Sequence, residues 1–319
     1  MEEKQENTTN YRFFLNNQNQ IINKYKLLKE IGKGSYGNVF SCQHIKNKKP
    51  GAIKIIKKQS NYIKSAEKEI DILKLLKHNN IIKFDTSFYY NNYICIVFKL
   101  YFKNLYQYTL NEYYLSQATV KELLLNICKG LEYLFKQKII HRDLKPENIL
   151  LKNDNSLDLV LCDFGLSIEY SKLDNEDEYG KYNVQSSWYR APEPFLKIDY
   201  DMSLDIWSLG CIAYELYWKK PLFKCNTNKD LFISHNVFLG PPSLSFLEKY
   251  PYIHEYYDDI KNPSIIYFRN KVYSIKNIEF KQNHKSNYEL FEIILLCCKW
   301  DSKLRLKPNE AIKLLEEMK

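Results

Sequence analysis

Residues 139–151 read IIHRDLKPENILL. Five aliphatic residues, Ile139, Ile140, Ile149, Leu150 and Leu151, enclose a run of His, Arg, Asp, Lys, Glu and Asn. A charged surface loop is seldom framed in this way. The framing predicts two short buried strands that hold a polar loop in place, and a polar loop pinned by a rigid scaffold is where catalytic groups tend to sit. The alternative is a turn that carries charge by chance.

The pattern of the rest changes near residues 99–104. Before that point, KYKLLKEIG, GNVFSCQH and GAIKIIKK (within 25–57) alternate or run apolar with Gly between them, which predicts strands. NYICIVFKL (92–100) reads as one more strand, fully buried. Only YIKSAEKEIDILKLLK (62–77) has helical periodicity there. From about 104 onward helices dominate. Val120, Leu123, Leu124, Ile127, Leu131 and Leu134 form one face of a long helix. SLDIWSLGCIAYELYW (203–218) is apolar nearly all round, as a buried helix is. The expected fold class is α+β, a small β-rich lobe followed by a larger helical lobe. Residues 240–286, with Pro241, Pro242, Pro251 and Pro263, read as an irregular insert packed on the large lobe. Residues 1–10 are polar and expected to be disordered. Tyr11–Leu15 and Gln20–Ile22 flank an Asn/Gln turn, so 11–24 reads as a hairpin ahead of the first strand.

Composition narrows the function classes. A net charge of +9 over 319 residues could suggest nucleic acid. The lysines are scattered, however, with no basic stripe interleaved with aromatics, so direct nucleic-acid binding is not expected. A field that attracts anionic ligands or acidic partners is the modest inference. The eight cysteines form no CxxC pair and lie mostly in apolar runs, so they read as buried thiols and not as disulfides or metal ligands. MEEKQENTTN has no apolar signal core, and no apolar run approaches membrane-spanning length. The expectation is a soluble monomer of the cytoplasm or nucleus.

The chemistry is carried by a few spacings. IGKGSYGNVF sets Gly32, Gly34 and Gly37 in the pattern GxGxxGxV, and glycines let a hairpin backbone approach phosphates without Cβ interference. A dinucleotide-binding turn uses a similar string, but a helix should then follow; here the strand NVFSC follows. Lys54 comes next, in GAIKII. In the 62–77 helix, Glu69, Ile72, Leu73 and Leu76 share one face, so Glu69 lies on the apolar stripe. A buried carboxylate needs a cation or it costs several kcal/mol, and Lys54 is the natural partner. Asp143 can accept a proton from an incoming hydroxyl, and Lys145 can neutralise charge on a transferred phosphoryl group. Asn148 and Asp163, the latter in CDFG, supply two oxygen ligands of the kind Mg²⁺ prefers.

In order, GxGxxGxV, Lys, Glu, HRDLKPEN, DFG and APE resemble the eukaryotic protein kinases over roughly residues 25–318. That resemblance implies a bilobal kinase fold: a small lobe at about 25–98, a hinge at about 99–103 and a large lobe at about 104–318. It implies ATP and Mg²⁺ as cofactors and Ser/Thr hydroxyls of proteins as acceptors, with Tyr as a further option. By position, Asp143 resembles the catalytic base, Lys145 the phosphate-facing lysine, and Asn148 and Asp163 the metal ligands. Ile31, Val39, Ala52 and Leu150 fall where kinases sandwich adenine, Phe98 falls at the gatekeeper and Lys99, Leu100 and Tyr101 at the hinge. Lys99 departs from the acidic residue common there. Glu193 of APE and Arg305 match the ion pair that anchors the activation segment, and Asp205 matches the residue that holds the catalytic-loop backbone. SSWYRAPE, with Ser186 and Arg190, is similar to the CMGC group, and 92–110 and 228–243 look most like its LAMMER-type and dual-specificity branches. The LAMMER signature itself is absent. Two alternatives remain: a partner-activated, cyclin-dependent-like kinase, and a nucleotide-binding pseudokinase scaffold.

Arg142 precedes Asp143. Kinases with that arginine usually pair it with an anion on the activation segment, without which a buried cation stays uncompensated. The positions at which the resemblance implies a phosphate are Asn183 and Lys181, neither of which supplies one. Tyr179 and Tyr182 are out of register. The segment does carry Asp174, Glu176, Asp177 and Glu178. The expectation is that one of these carboxylates, or hydrogen bonds alone, orders it without phosphorylation; a solvated acidic loop is the alternative.

Overall fold

The computed structural model describes residues 20–34, 36–243, 246 and 288–318. Its first part is one antiparallel sheet of six strands: β1 (Ile21–Ile22), β2 (Tyr25–Lys33), β3 (Gly37–His44), β4 (Pro50–Ile56), β5 (Phe84–Tyr90) and β6 (Tyr93–Lys99). They run in the order β1-β2-β3-β4-β6-β5. β6 is buried from Tyr93 to Phe98, which is why its sequence is a continuous apolar run and does not alternate. β5 is not evident in the sequence. It is an edge strand that buries no residue fully, so it has no apolar stripe to read. Ile22, Leu27, Phe40, Ile53, Ile55, Cys95 and Val97 close a small core within the sheet.

The helix α1 (Ser60–Leu75) lies between β4 and β5 in the chain and buries Ala66, Ile70, Ile72 and Leu73. Glu69 is buried on the same stripe, as the spacing predicts.

Beyond Asn104 helices dominate. α2 (Leu105–Asn111) opens with a capping box, in which Asn104 accepts from Gln107 N and Gln107 accepts from Asn104 N. α3 (Gln117–Lys136) buries the expected face from Val120 to Leu134. α4 (Glu178–Tyr182) and α5 (Pro192–Leu196) are short. α6 (Ser203–Trp218) is buried at every residue from Ser203 to Ala213. α7 (Asn228–Leu239), α8 (Tyr288–Cys297) and α9 (Pro308–Glu317) follow among the described residues. This is the expected α+β class.

The two aliphatic flanks of the 139–151 stretch do form strands, but they do not pair with each other. β7 (Ile139–Ile140) pairs with β10 (Ile168–Glu169), and β8 (Ile149–Leu151) pairs with β9 (Leu159–Leu161). Each end of the polar loop is thus fixed by a different partner.

Of the expected 11–24 hairpin, residues 11–19 lie outside the described residues. Ile21 and Ile22 turn at Asn23 and pair with Lys26 and Tyr25. Of the 240–286 insert, all but 240–243 and Phe246 lies outside them, as do residues 1–10. All eight cysteines are free and buried. Among the described residues no helix is long and apolar enough to cross a membrane.

Candidate active site

Asp205, in the first turn of α6, shapes the polar loop. Its two carboxylate oxygens accept from His141 N (2.7 Å) and Arg142 N (3.0 Å), so the loop backbone hangs from a buried anion. Arg142 takes a left-handed φ of 65° there. His141 Nε2 lies 3.0 Å from Cys162 O, tying the loop to the strand that precedes Asp163.

Asp143 is the centre of the site. Oδ2 accepts from Lys145 Nζ at 2.8 Å and from Asn148 Nδ2 at 3.0 Å. Oδ1 accepts from Ser186 N at 3.2 Å and Ser186 Oγ at 2.9 Å. Lys145 Nζ also donates to Ser186 Oγ at 2.8 Å. A charged ammonium, an amide and a hydroxyl therefore fix one carboxylate within the cleft. Asn148 spends its amide nitrogen on Asp143, so its amide oxygen is the atom a hard cation would use.

Lys54 has two carboxylates and not the single partner that the sequence suggests. Nζ lies 3.0 and 2.9 Å from the two Glu69 oxygens and 2.8 Å from Asp163 Oδ1. Burial works against the ammonium, but Asp163 and Glu69 outweigh it and hold Lys54 charged. Burial likewise pushes the Asp163 carboxyl up, and Lys54 more than reverses this, leaving it below the ordinary aspartate range. Burial pushes the Glu69 carboxyl above its ordinary value; Lys54 works against this and Asp163 adds to it. Asp163 stands in the left-handed region (φ 64°, ψ 72°), which turns its carboxylate toward Lys54.

The glycine hairpin closes through Gly34 N to Gly37 O at 2.9 Å. Gly37 is glycine for a reason within the protein, because a Cβ there would sit 2.3 Å from Ile55 O in the next strand. At Gly34, among the described residues, a Cβ would meet only Gly37 O, at 3.4 Å. Gly32 is the cross-strand partner of Val39, and Ala52 that of Phe98. Ile31 is exposed and Val39 half-buried. Leu150 lies under the chain that leaves the hinge: Phe102 N donates to Leu151 O at 3.0 Å and Leu151 N to Lys103 O at 2.9 Å. The hinge is held from outside, with Lys99 N donating to Lys83 O at 3.0 Å and Lys83 N to Tyr101 OH at 3.2 Å. Leu100 is half-buried, and the exposed Lys99 places its ammonium 5.6 Å from the centre of the Tyr101 ring.

The segment after Asp163 is anchored at several points. Glu193 and Arg305 form a buried ion pair, and Arg305 also donates to Lys299 O (2.9 Å) and Ser203 O (3.2 Å). Arg190 caps backbone carbonyls, reaching Val184 O at 3.0 Å and Gln185 O at 2.8 Å. Arg142 pairs through both terminal nitrogens with Glu176, at 2.5 and 3.2 Å. Gln185 was not readable in the sequence, where it looks like any loop residue. Buried at φ 62°, it donates to Ser208 Oγ at 2.9 Å and accepts from Ala191 N at 3.0 Å. A cavity of about 290 Å³ opens beside Lys145 and Ser186, bounded by Glu147, Trp188, Tyr189 and Cys225.

Comparison with known proteins gives concordant matches. The family model described as Protein kinase domain matches residues 25–314. Dual specificity tyrosine-phosphorylation-regulated kinase 4 of Homo sapiens is 31% identical over 313 residues, covering 92% of this chain and 57% of that protein. Serine/threonine-protein kinase ppk5 of Schizosaccharomyces pombe is 32% identical over 303 residues, covering 92% of this chain and 36% of that protein. The chain thus spans about half, or less, of the length of these relatives. A solved crystal structure of a kinase domain shares 27% identity at a TM-score of 0.80, covering 94% of this chain and 97% of that one.

Proposed function

The chain belongs to the protein kinase family, and from that premise we propose that it transfers the γ-phosphoryl group of ATP to serine or threonine hydroxyls of proteins, as a member of the dual-specificity branch. The observation that carries the reading is the Asp143 carboxylate held between Lys145, Asn148 and Ser186, with Asp163 and Lys54 at the same cleft.

Phosphoryl transfer is mostly positioning and charge stabilisation. Asp143 accepts the proton of the incoming hydroxyl. The acceptor oxygen bonds to the γ-phosphorus as the bond to the β–γ bridging oxygen breaks, and ADP leaves with that oxygen. Lys145 offsets charge on the transferred group. Lys54, fixed by Glu69, presents its ammonium to the nucleotide phosphates.

Asn148 and Asp163 fit a magnesium ion. They offer two hard oxygens, the Asn148 amide oxygen left over when its nitrogen bonds Asp143 and the Asp163 carboxylate. Such an ion would take its remaining ligands from phosphates and water, which is the habit of Mg²⁺. When bound, it supplies neutralisation of phosphate charge. The cavity beside Lys145 and Ser186, both of which bond Asp143, is the site this reading assigns to an acceptor peptide.

The test is turnover of MgATP by the purified chain with a generic basic protein, read by phosphoamino-acid analysis. Phosphoserine or phosphothreonine that depends on Asp143 supports the reading. Mg²⁺-dependent nucleotide binding with no transfer to any protein would replace it with a scaffold.

A further inference from the structure

Arg142 is a nearly buried guanidinium next to the proposed base, and its needs are met from three elements. Nε donates to Leu166 O at 2.5 Å, Nη1 to Glu176 Oε2 at 2.5 Å and to Tyr200 OH at 3.2 Å, and Nη2 to Glu176 Oε1 at 3.2 Å. The Arg142 and Glu176 side chains are 5% and 12% exposed. A bidentate arginine–carboxylate pair is the strong form of this contact. Left without an anion, a cation so placed is strongly destabilising.

Glu176 faces a second cation. Lys68 Nζ, on α1, lies 3.6 Å from Glu176 Oε1. Lys68 precedes Glu69, which holds Lys54, and Arg142 precedes Asp143. One carboxylate therefore touches the residue beside the base in the large lobe and the residue beside the Lys54 clamp in the small lobe. Lys68 is mostly exposed, so Arg142 supplies most of the interaction.

The surrounding segment is sewn down by charges of its own. Lys181 Nζ lies 2.7 Å from Asp199 and 3.4 Å from Asp174, Tyr200 OH donates to Lys181 O at 2.6 Å, and Lys197 lies 2.7 Å from Glu178. Lys181 is thus occupied as a structural cation. Asn183 N closes the end of α4 on Tyr179 O at 2.9 Å. Of the four acidic residues in this stretch, Glu176 alone is directed at Arg142.

Resting on the kinase reading above, we infer that Glu176 is a positioning residue: through Arg142 it fixes Asp143, through Lys68 it steadies α1, and it makes the assembled site independent of phosphate on residues 170–190. The carboxylate that orders the segment is written into the sequence.

The experiment uses the full chain, stripped by phosphatase and checked by intact mass. Wild type so treated should transfer phosphate as fast as untreated protein. Glu176→Gln should lower kcat roughly 10²-fold, the size of effect that misplacing a reacting group produces. The KM for ATP should change little, and Glu176→Asp should recover part of the loss. In a double-mutant cycle with Arg142→Ala the two losses should not add, because both break one contact. Tyr179→Phe and Tyr182→Phe should leave the rate unchanged. Limited proteolysis within 170–190, faster in Glu176→Gln than in wild type, reads the clamp without using activity. Phosphatase treatment that abolishes transfer, additive losses in the cycle, or proteolysis unaltered by Glu176→Gln would overturn the inference. If no preparation transfers phosphate, the kinase reading fails, and the proteolysis result still decides the clamp.

Discussion

Lys54 Nζ lies 2.8 Å from Asp163 Oδ1, closer than to either oxygen of Glu69, although 109 residues separate the pair in sequence. One ammonium thus joins β4 to α1 and both to the start of the segment that carries Asp163. The small lobe and the proposed metal-binding residue meet on a single nitrogen. Placing a lysine between two carboxylates keeps it charged despite its burial.

Lys54→Met leaves both carboxylates without their cation. A fully buried pair broken on one side loses 3–5 kcal/mol; Asp163 is 38% exposed, which reduces this to about 1–3 kcal/mol. Chemical denaturation should show that loss, and adding Glu69→Gln should return much of it. Phosphoryl transfer should be abolished in Lys54→Met and stay abolished in the double variant. Equal midpoints for wild type and Lys54→Met would remove the basis for this account of the charge.

Asp143→Asn keeps the size of the side chain and removes its basicity. A single general base contributes roughly 10²–10⁴ in rate, so kcat should fall by that factor while the melting temperature stays near that of wild type. Near-normal turnover would refute the assignment of Asp143.

The glycines of the hairpin should separate into two kinds. Gly37→Ala forces a Cβ to within 2.3 Å of Ile55 O, so β3 and β4 must part beside Lys54; overpacking of that kind costs roughly 1–3 kcal/mol. Gly34→Ala brings a Cβ to an ordinary 3.4 Å contact with Gly37 O, so the fold should hold and the KM for ATP should rise. A Gly37→Ala variant as stable as wild type would show that the strands yield more easily than their spacing suggests.

Residues whose role is set by their neighbours in sequence were legible. The stripe of α1 announces Glu69, because a carboxylate on one face with Ile72, Leu73 and Leu76 has to be buried. The run from Ser203 to Ala213 announces a buried helix because no polar face exists to compete. The edge strand β5 was silent for the opposite reason, as half-buried residues leave no period to read. Pairings across the fold were only half legible. The acidic stretch 174–178 signalled an anion for Arg142, yet nothing in the order of its residues selects Glu176. That choice depends on where the segment turns after Leu173, a buried residue whose carbonyl accepts from Glu176 N at 3.2 Å. Asp163 as a second partner of Lys54 required the two lobes to close on each other.

His235 on α7 should make stability pH-dependent. Its ring is fully buried, and among the described residues neither nitrogen has a hydrogen-bond partner. The ring centres of Phe223, Trp207, Phe195 and Trp300 stand 4.4, 4.5, 5.5 and 5.9 Å away. Burial, with the charge of Arg305 adding to it, holds the imidazole well below its ordinary value of 6.5. Aromatic faces can welcome a cation, but Arg305 already lies 5.1 Å over the Trp207 ring. The folded protein therefore keeps His235 neutral where the unfolded chain would protonate it. Its contribution to stability is fully present above about pH 6.5 and is lost as pH falls below that value toward the folded pKa. In that window the unfolded state binds the extra proton, at up to about 1.4 kcal/mol per pH unit. His235→Phe removes the proton site while keeping an aromatic ring in the cluster. Urea denaturation of the two proteins between pH 7.5 and about pH 5 should show wild type losing stability relative to the variant as pH falls. His78, whose value burial also lowers, is common to both proteins and cancels in that difference. Stability curves that stay parallel across the range would mean that His235 finds a proton-accepting partner or a water that the cluster does not reveal.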